Sequence, residues 1–169
     1  MKIKSLAFAC AALLAGSAYA AGALTLIGSP NQTANFGSSF LAQSGSITDT
    51  WTFSTAGPVA ANGGVISVAF ETSDWDFSSV VLSGPGGSFN FLATPTSTDD
   101  FEVWRLASTS LAIPGAYSLI VTGNVLSPAT EGSYSGNLNL TPVPEPETYA
   151  LMLAGLGAMA FVARRRRPT

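Results

Sequence analysis

The sequence predicts an all-β protein, an antiparallel and jelly-roll-like β-sandwich flanked by an N-terminal signal helix and a C-terminal transmembrane helix. Three observations predict it. Between residues 21 and 141 no apolar pattern of helical period runs for any useful length, while Gly, Ser, Thr, Asn and Pro recur every few residues. The pieces between these punctuating residues alternate large apolar with polar side chains, the period of a half-buried strand. The two ends differ from the middle in composition, each being an apolar run next to basic residues.

The strands follow in order. Thr50-Trp51-Thr52-Phe53 comes after Asp49 and alternates polar with aromatic residues. Val65-Ile66-Ser67-Val68-Ala69-Phe70 follows Asn62-Gly63-Gly64, which reads as a turn. Residues 77–82 run into Ser83-Gly84-Pro85-Gly86-Gly87, read as a loop, and Phe89-Asn90-Phe91-Leu92 makes a short strand before Pro95. Over 101–107, Phe101, Val103 and Arg105 alternate with Glu102, Trp104 and Leu106. A Pro114-Gly115 turn leads into a strand with Tyr117, Leu119 and Val121 on one face. The last strand carries Tyr134, Gly136, Leu138 and Leu140 at period two. Seven or eight short strands with turns at near-regular spacing argue a sandwich over residues 21–141. Alternation gives its sheets one packed and one wet face.

Residues 1–20 contain Lys2 and Lys4, an apolar run from Leu6 to Ala15, and Ala18-Tyr19-Ala20. A basic start, a short apolar run and a small-x-small site, in that order, predict a signal peptide cleaved after Ala20, with Ala18 and Ala20 as the small residues. At the other end, residues 142–148 form a Pro- and Glu-rich linker unsuited to a strand ladder or a helix interior. Residues 149–163 are fifteen apolar or small residues, and 164–169 open with Arg164, Arg165, Arg166 and Arg167. A helix over 149–163 would reach about 22 Å, against a hydrocarbon core of about 30 Å. Such a transmembrane helix needs snorkelling arginines or local thinning. The arginines then form a basic cytoplasmic tail, and the middle of the chain lies outside the inner membrane.

Charge narrows the partners. Residues 21–141 hold eight carboxylates against the single base Arg105, a formal charge of −7. A surface of that sign repels nucleic acid, so none is expected as a partner. The one cysteine, Cys10, lies in the signal peptide, so the domain has no disulfide and stands on its core alone.

Residues 21–141 contain no His, no Cys and no Lys. That removes Ser-His-Asp and Cys-His catalysis, most zinc sites and Schiff-base chemistry, and no enzyme activity is expected. Carboxylates are what remains. Asp74-Trp75-Asp76 puts two carboxylates on one side of an extended segment, a calcium candidate without a full loop signature and otherwise without cofactor. The same pair could serve glycoside hydrolysis only within a cleft, and Trp75 or Trp104 could stack on a sugar. Arg105 reads as a salt-bridge partner of Glu102 or Asp100, or alternatively as a ligand-binding cation. Asn31-Gln32-Thr33 and Asn139-Leu140-Thr141 fit a glycosylation sequon that is common by chance.

The tail resembles the PEP-CTERM sorting signal of Gram-negative bacteria. The residues that carry the resemblance are Val143-Pro144-Glu145-Pro146, Thr148, the apolar stretch with Gly155-Leu156-Gly157, and Arg164 to Arg167. The resemblance implies recognition by an exosortase and removal of the tail, with Pro144, Glu145 and Pro146 as the exposed motif. It also implies cargo that is exported and associated with exopolysaccharide or biofilm matrix. Ile47-Thr48-Asp49-Thr50-Trp51-Thr52-Phe53 resembles the opening strand of the FxDxF subgroup, with Ile47 and Trp51 in place of its phenylalanines. Residues 114–123 are similar to the penultimate strand of bacterial pre-peptidase C-terminal domains, which are small jelly-roll-like sandwiches.

The expectation is therefore a non-enzymatic exported protein, processed by exosortase after contact with the inner membrane. It would reside at the cell surface or in the matrix in a structural or adhesive role. The alternatives are a carbohydrate- or calcium-binding module built on Asp74, Trp75, Asp76 and Trp104, a weak hydrolase on the same carboxylates, or a tail kept as an anchor.

Overall fold

The computed structural model describes residues 17–41, 45–71, 73–98, 100–125, 131–144 and 146–165. The described chain forms ten strands and one helix: β1 (Ser17–Ala23), β2 (Gln32–Leu41), β3 (Gly45–Thr55), β4 (Val59–Val68), β5 (Trp75–Gly84), β6 (Gly87–Asn90), β7 (Leu92–Ala93), β8 (Phe101–Leu111), β9 (Gly115–Val125), β10 (Glu131–Pro142) and α1 (Pro146–Arg165). They build two five-stranded sheets, ordered β1-β3-β9-β5-β6 and β2-β10-β4-β8-β7. From β2 to β5, and again from β8 to β10, each strand crosses to the opposite sheet, the winding of a jelly roll. Every pairing is antiparallel except that of β1 with β3.

Inward side chains follow the alternation. On β9, Tyr117, Leu119, Val121 and Val125 are buried, and on β10 so are Tyr134, Leu138 and Leu140. The aromatics meet between the layers. Trp75 of the first sheet stacks on Phe40 of the second, with ring centroids 4.9 Å apart, and on Tyr134 at 5.7 Å. Gly123 sits under this cluster because any side chain there would run into the Trp75 ring and the Asp76 carbonyl. Such contacts hold a domain that has no disulfide.

One polar clasp also joins the sheets. Asp49 on β3 is 1% exposed, and its Oδ2 accepts a 2.6 Å hydrogen bond from the Tyr134 hydroxyl on β10. That hydroxyl in turn accepts from Trp51 Nε1 at 3.1 Å. Burial first, and the bond to Asp49 second, raise the Tyr134 phenol far above its ordinary value of 10.

Three expectations change here. Asn62-Gly63-Gly64 is no turn: it lies within β4, where the register against β8 shifts between Ala61 and Gly63. Gly63 permits this because the Asn137 carbonyl of β10 occupies the space a Cβ would need. The stretch 83–87 narrows to a tight turn at Pro85-Gly86, since Ser83 and Gly84 pair with Ser88 and Gly87. Strand β2 has no counterpart in the sequence reading. Apart from Thr33 it lacks β-branched residues, yet Ala34, Phe36 and Phe40 point inward.

The ends differ more. Residues 1–16 of the expected signal helix lie outside the described residues. Ser17–Ala23, which includes the expected cleavage residues Ala18 and Ala20, forms a strand along the outer edge of β3. An open strand edge presents unpaired N–H and C=O groups, and β1 covers them. At the other end α1 forms, but no helix among the described residues is long and apolar enough to cross a membrane. This overturns the transmembrane helix expected over 149–163. The 20 residues of α1 are reached only by including Glu147 in its first turn and Arg164 and Arg165 in its last, and Gly155 and Gly157 dilute the stretch between. The cytoplasmic placement of residues 164–169 rested on that span and falls with it; Arg166 and Arg167 lie outside the described residues.

Two outcomes check the packing. Leu138→Ala, at a side chain with 0% exposure, should cost about 3 kcal/mol in urea unfolding. Leu41→Ala, at 70% exposure, should change stability by less than about 0.5 kcal/mol. Removing the clasp donor by Tyr134→Phe leaves a buried carboxyl oxygen without its hydrogen bond, at about 1–3 kcal/mol. The pH sign follows from the raised phenol. Below pH of about 10 folded and unfolded Tyr134 are both neutral, and above it only the unfolded phenol ionises, so stability falls as pH rises. Unfolding measured at pH 8 and at higher pH should show that fall, smaller in Tyr134→Phe. Burial also raises Tyr117, so part of the fall remains.

Candidate functional site

Three regions bring functional side chains together. The first is the tail. Val143 N donates to the Pro58 carbonyl at 3.0 Å, tying the end of β10 to the sandwich. Beyond it Pro144 is exposed, and Pro146 opens α1, a position where a missing N–H costs nothing. Glu145 lies outside the described residues. Glu147 at the N-terminal turn and Arg164 and Arg165 at the C-terminal turn match the helix dipole. The described side chains of α1 are all exposed, including Leu151, Met152, Leu153, Leu156, Met159 and Phe161.

The second is the acidic end. Asp74 and Asp76 flank Trp75 and lie half-buried at the start of β5, on one side as expected. Glu102 on β8 joins them from the opposite sheet. Its Oε2 accepts from Phe77 N at 2.7 Å and its Oε1 from Trp104 Nε1 at 3.4 Å. Burial raises the Glu102 carboxyl above its ordinary value, opposed by those hydrogen bonds and reinforced by the charges of Asp76 and Asp74. Among the described residues no group of three ligating side chains is placed to hold a metal ion, and Asp99 lies outside them. The tryptophans are corrected. Trp75 is 2% exposed and belongs to the aromatic core, while Trp104 is half-buried with its ring 6.0 Å from Phe77. Trp75 is thus unavailable to a sugar, because its ring is packed between the sheets against Phe40 and Tyr134.

The third region was not found from the sequence. The outer face of the second sheet carries a cleft of about 760 Å³. Register sets one row across it, Asn35 of β2 beside Asn137 of β10, then Gly64 of β4, then Arg105 of β8. The neighbouring row is bonded to itself: Thr33 Oγ1 donates to Asn139 Oδ1 at 2.9 Å, and Asn139 Nδ2 donates to Asn62 Oδ1 at 3.1 Å. The Asn139 amide is therefore engaged within the sheet. On the other side Ile66 and Val103 lead to Phe101, which is 39% exposed. A second depression, of about 550 Å³, shares Ile66 and Ser135 with the first and continues it past Ser39 and Ser133. The expected ion pair of Arg105 does not form with the described carboxylates: Glu102 points through the sheet to the other face, while Arg105 is exposed in the cleft. The only sequence signal was the period-two run Ser135, Asn137, Asn139, legible once β10 is known to be a strand.

Several solved structures are similar to the chain at low identity. A periplasmic inhibitor of g-type lysozyme, PliG, from Salmonella Typhimurium is 16% identical with a TM-score of 0.42, covering 75% of this chain and 99% of that one. The pre-peptidase C-terminal domain of a Bacillus anthracis collagenase is 16% identical with a TM-score of 0.34, covering 75% and 94%. PliG from Aeromonas hydrophila is 11% identical with a TM-score of 0.34, covering 74% and 98%. No statement about function follows from these likenesses. No curated protein matches the sequence. The family match lies wholly in the tail, so the likeness of Ile47–Phe53 to the FxDxF subgroup gains nothing from it. Residues 142–167 match the PEP-CTERM protein-sorting motif, which indicates an exported, exosortase-targeted protein sorted to the Gram-negative cell surface.

Proposed function

We propose that the chain is a non-enzymatic protein of the cell surface or extracellular matrix, processed by exosortase, associated with exopolysaccharide and structural or adhesive in role. The observation that carries this reading is the sorting motif on an exposed helix, joined to a compact sandwich through the exposed Pro144. A processing enzyme needs accessible backbone, and the exposed Val143 and Pro144 after β10 offer it. The apolar side chains of α1 stand exposed and would meet the inner-membrane surface before processing, without crossing it. The absence of His, Cys and Lys from residues 21–141 supports a role without catalysis or cofactor. Calcium at Asp74 and Asp76 would need more ligands than the described residues bring together. A second reading, a carbohydrate-binding module, is favoured by the amide-lined cleft on the outer face and not by the tryptophans.

The test is the intact mass of the protein recovered from its host, from envelope and medium. Loss of residues 1–20 and of the tail beyond Pro144-Glu145-Pro146 is the expected result. Replacing those three residues with alanine should leave the tail in place and keep the protein out of the medium. A wild-type chain retaining everything from Ala21 to Thr169 and found only in membranes would make the tail an anchor and remove exosortase from the proposal.

A further inference from the structure

We propose that the outer face of the second sheet binds an acidic polysaccharide, with the Arg105 guanidinium taking a sugar carboxylate and the Asn35 and Asn137 amides taking hydroxyls. The proposal rests on the surface or matrix location argued above and adds to it a site and a ligand class.

Charge complementarity selects the ligand. The domain carries eight carboxylates over residues 21–141, yet none of the described ones lines the cleft, and the only base of that segment does. An anionic chain is repelled elsewhere on this surface and attracted here. Guanidinium geometry suits a carboxylate bidentately.

The other lining groups suit a polyol. Asn35 and Asn137 lie side by side in register, each with a donor and an acceptor, an arrangement that matches vicinal hydroxyls. Gly64 keeps the floor between Asn137 and Arg105 open. A Cβ there would find its nearest neighbour, the Trp104 carbonyl, at 3.6 Å, so ordinary side chains fit and would fill the cleft. Phe101 and Val103 give an apolar strip of the kind that meets the C–H face of a sugar ring. The adjoining hydroxyl-lined depression extends the surface in one direction, as an extended polymer requires. A protein partner would need a buried cluster of anchoring aromatics, and the face exposes Phe101 alone among the cleft's lining residues that keep their ring at the surface.

The experiment titrates the full-length protein with polygalacturonate and, separately, with neutral dextran, by calorimetry at low and moderate salt. Polygalacturonate should bind, more weakly as salt rises. Arg105→Gln should weaken it by at least about tenfold, the loss of one charge-assisted pair. Gly64→Val, which fills the floor and leaves the charge, should weaken it comparably, and Asn137→Ala serves if Gly64→Val fails to fold. Dextran should bind far less than polygalacturonate. The proposal is overturned if polygalacturonate does not bind, if Arg105→Gln binds it as wild type does, or if dextran binds equally well. A protein that is processed and released but ignores polygalacturonate refutes this inference alone. A protein that binds polygalacturonate but stays unprocessed in the membrane refutes only the sorting proposal.

Discussion

The sandwich depends on what happens at Tyr134. Its ring stacks on Trp75 and lies edge-on to Phe77, both from the opposite sheet, while its hydroxyl donates to buried Asp49 and accepts from Trp51. One side chain thus supplies apolar contact and a hydrogen bond to one of the two buried Asp49 oxygens, while Oδ1 has no partner among the described residues. With no disulfide available, this is where β10 and β3, which share no ladder, are held in fixed relation. A buried carboxyl is costly unless a donor meets it, so the Tyr134 hydroxyl offsets part of the cost of burying Asp49 between the layers.

Alternation then distributes function over the outer surfaces. The rule that sends Tyr134, Leu138 and Leu140 inward sends Ser135, Asn137 and Asn139 outward. On β8 it sends Glu102 and Trp104 toward the core side and Phe101, Val103 and Arg105 to the cleft. Acidic and basic groups adjacent in sequence therefore end on opposite faces. Glu102 joins Asp74 and Asp76 at the edge of the core, and Arg105 is left with amides and glycine backbone. The separation of charge is a product of the pleat and not of any clustering along the chain.

Strands with strong alternation and β-branched or aromatic residues, such as 117–121 and 134–140, were legible because local pattern and tertiary burial agree. Strand β2 was hidden, since its small polar residues carry no strand signal and only pairing with β10 along its full length makes it one. Asn62-Gly63-Gly64 misled for the converse reason: a turn-like composition serves a close approach of Asn137 backbone within a central strand. Trp75 looked like a sugar platform because a tryptophan between two aspartates suggests exposure, whereas burial of its ring decides the matter. At the C-terminus the residues of the motif were plain, but the helix that carries its apolar stretch is not long and apolar enough to cross a bilayer.

By itself the sequence determined the all-β class, the acidic composition of the middle with its lack of His, Cys and Lys, and the sorting motif with its order of proline-glutamate-proline, apolar stretch and arginines. These are properties of composition and of spacing within one segment, which folding does not alter. Only the tertiary structure decided where the single cation stands, that Asp49 is clasped and that an amide-lined cleft exists. Asn35, Gly64, Arg105 and Asn137 come from four strands brought side by side by long-range register, and no local pattern encodes which strand lies next to which.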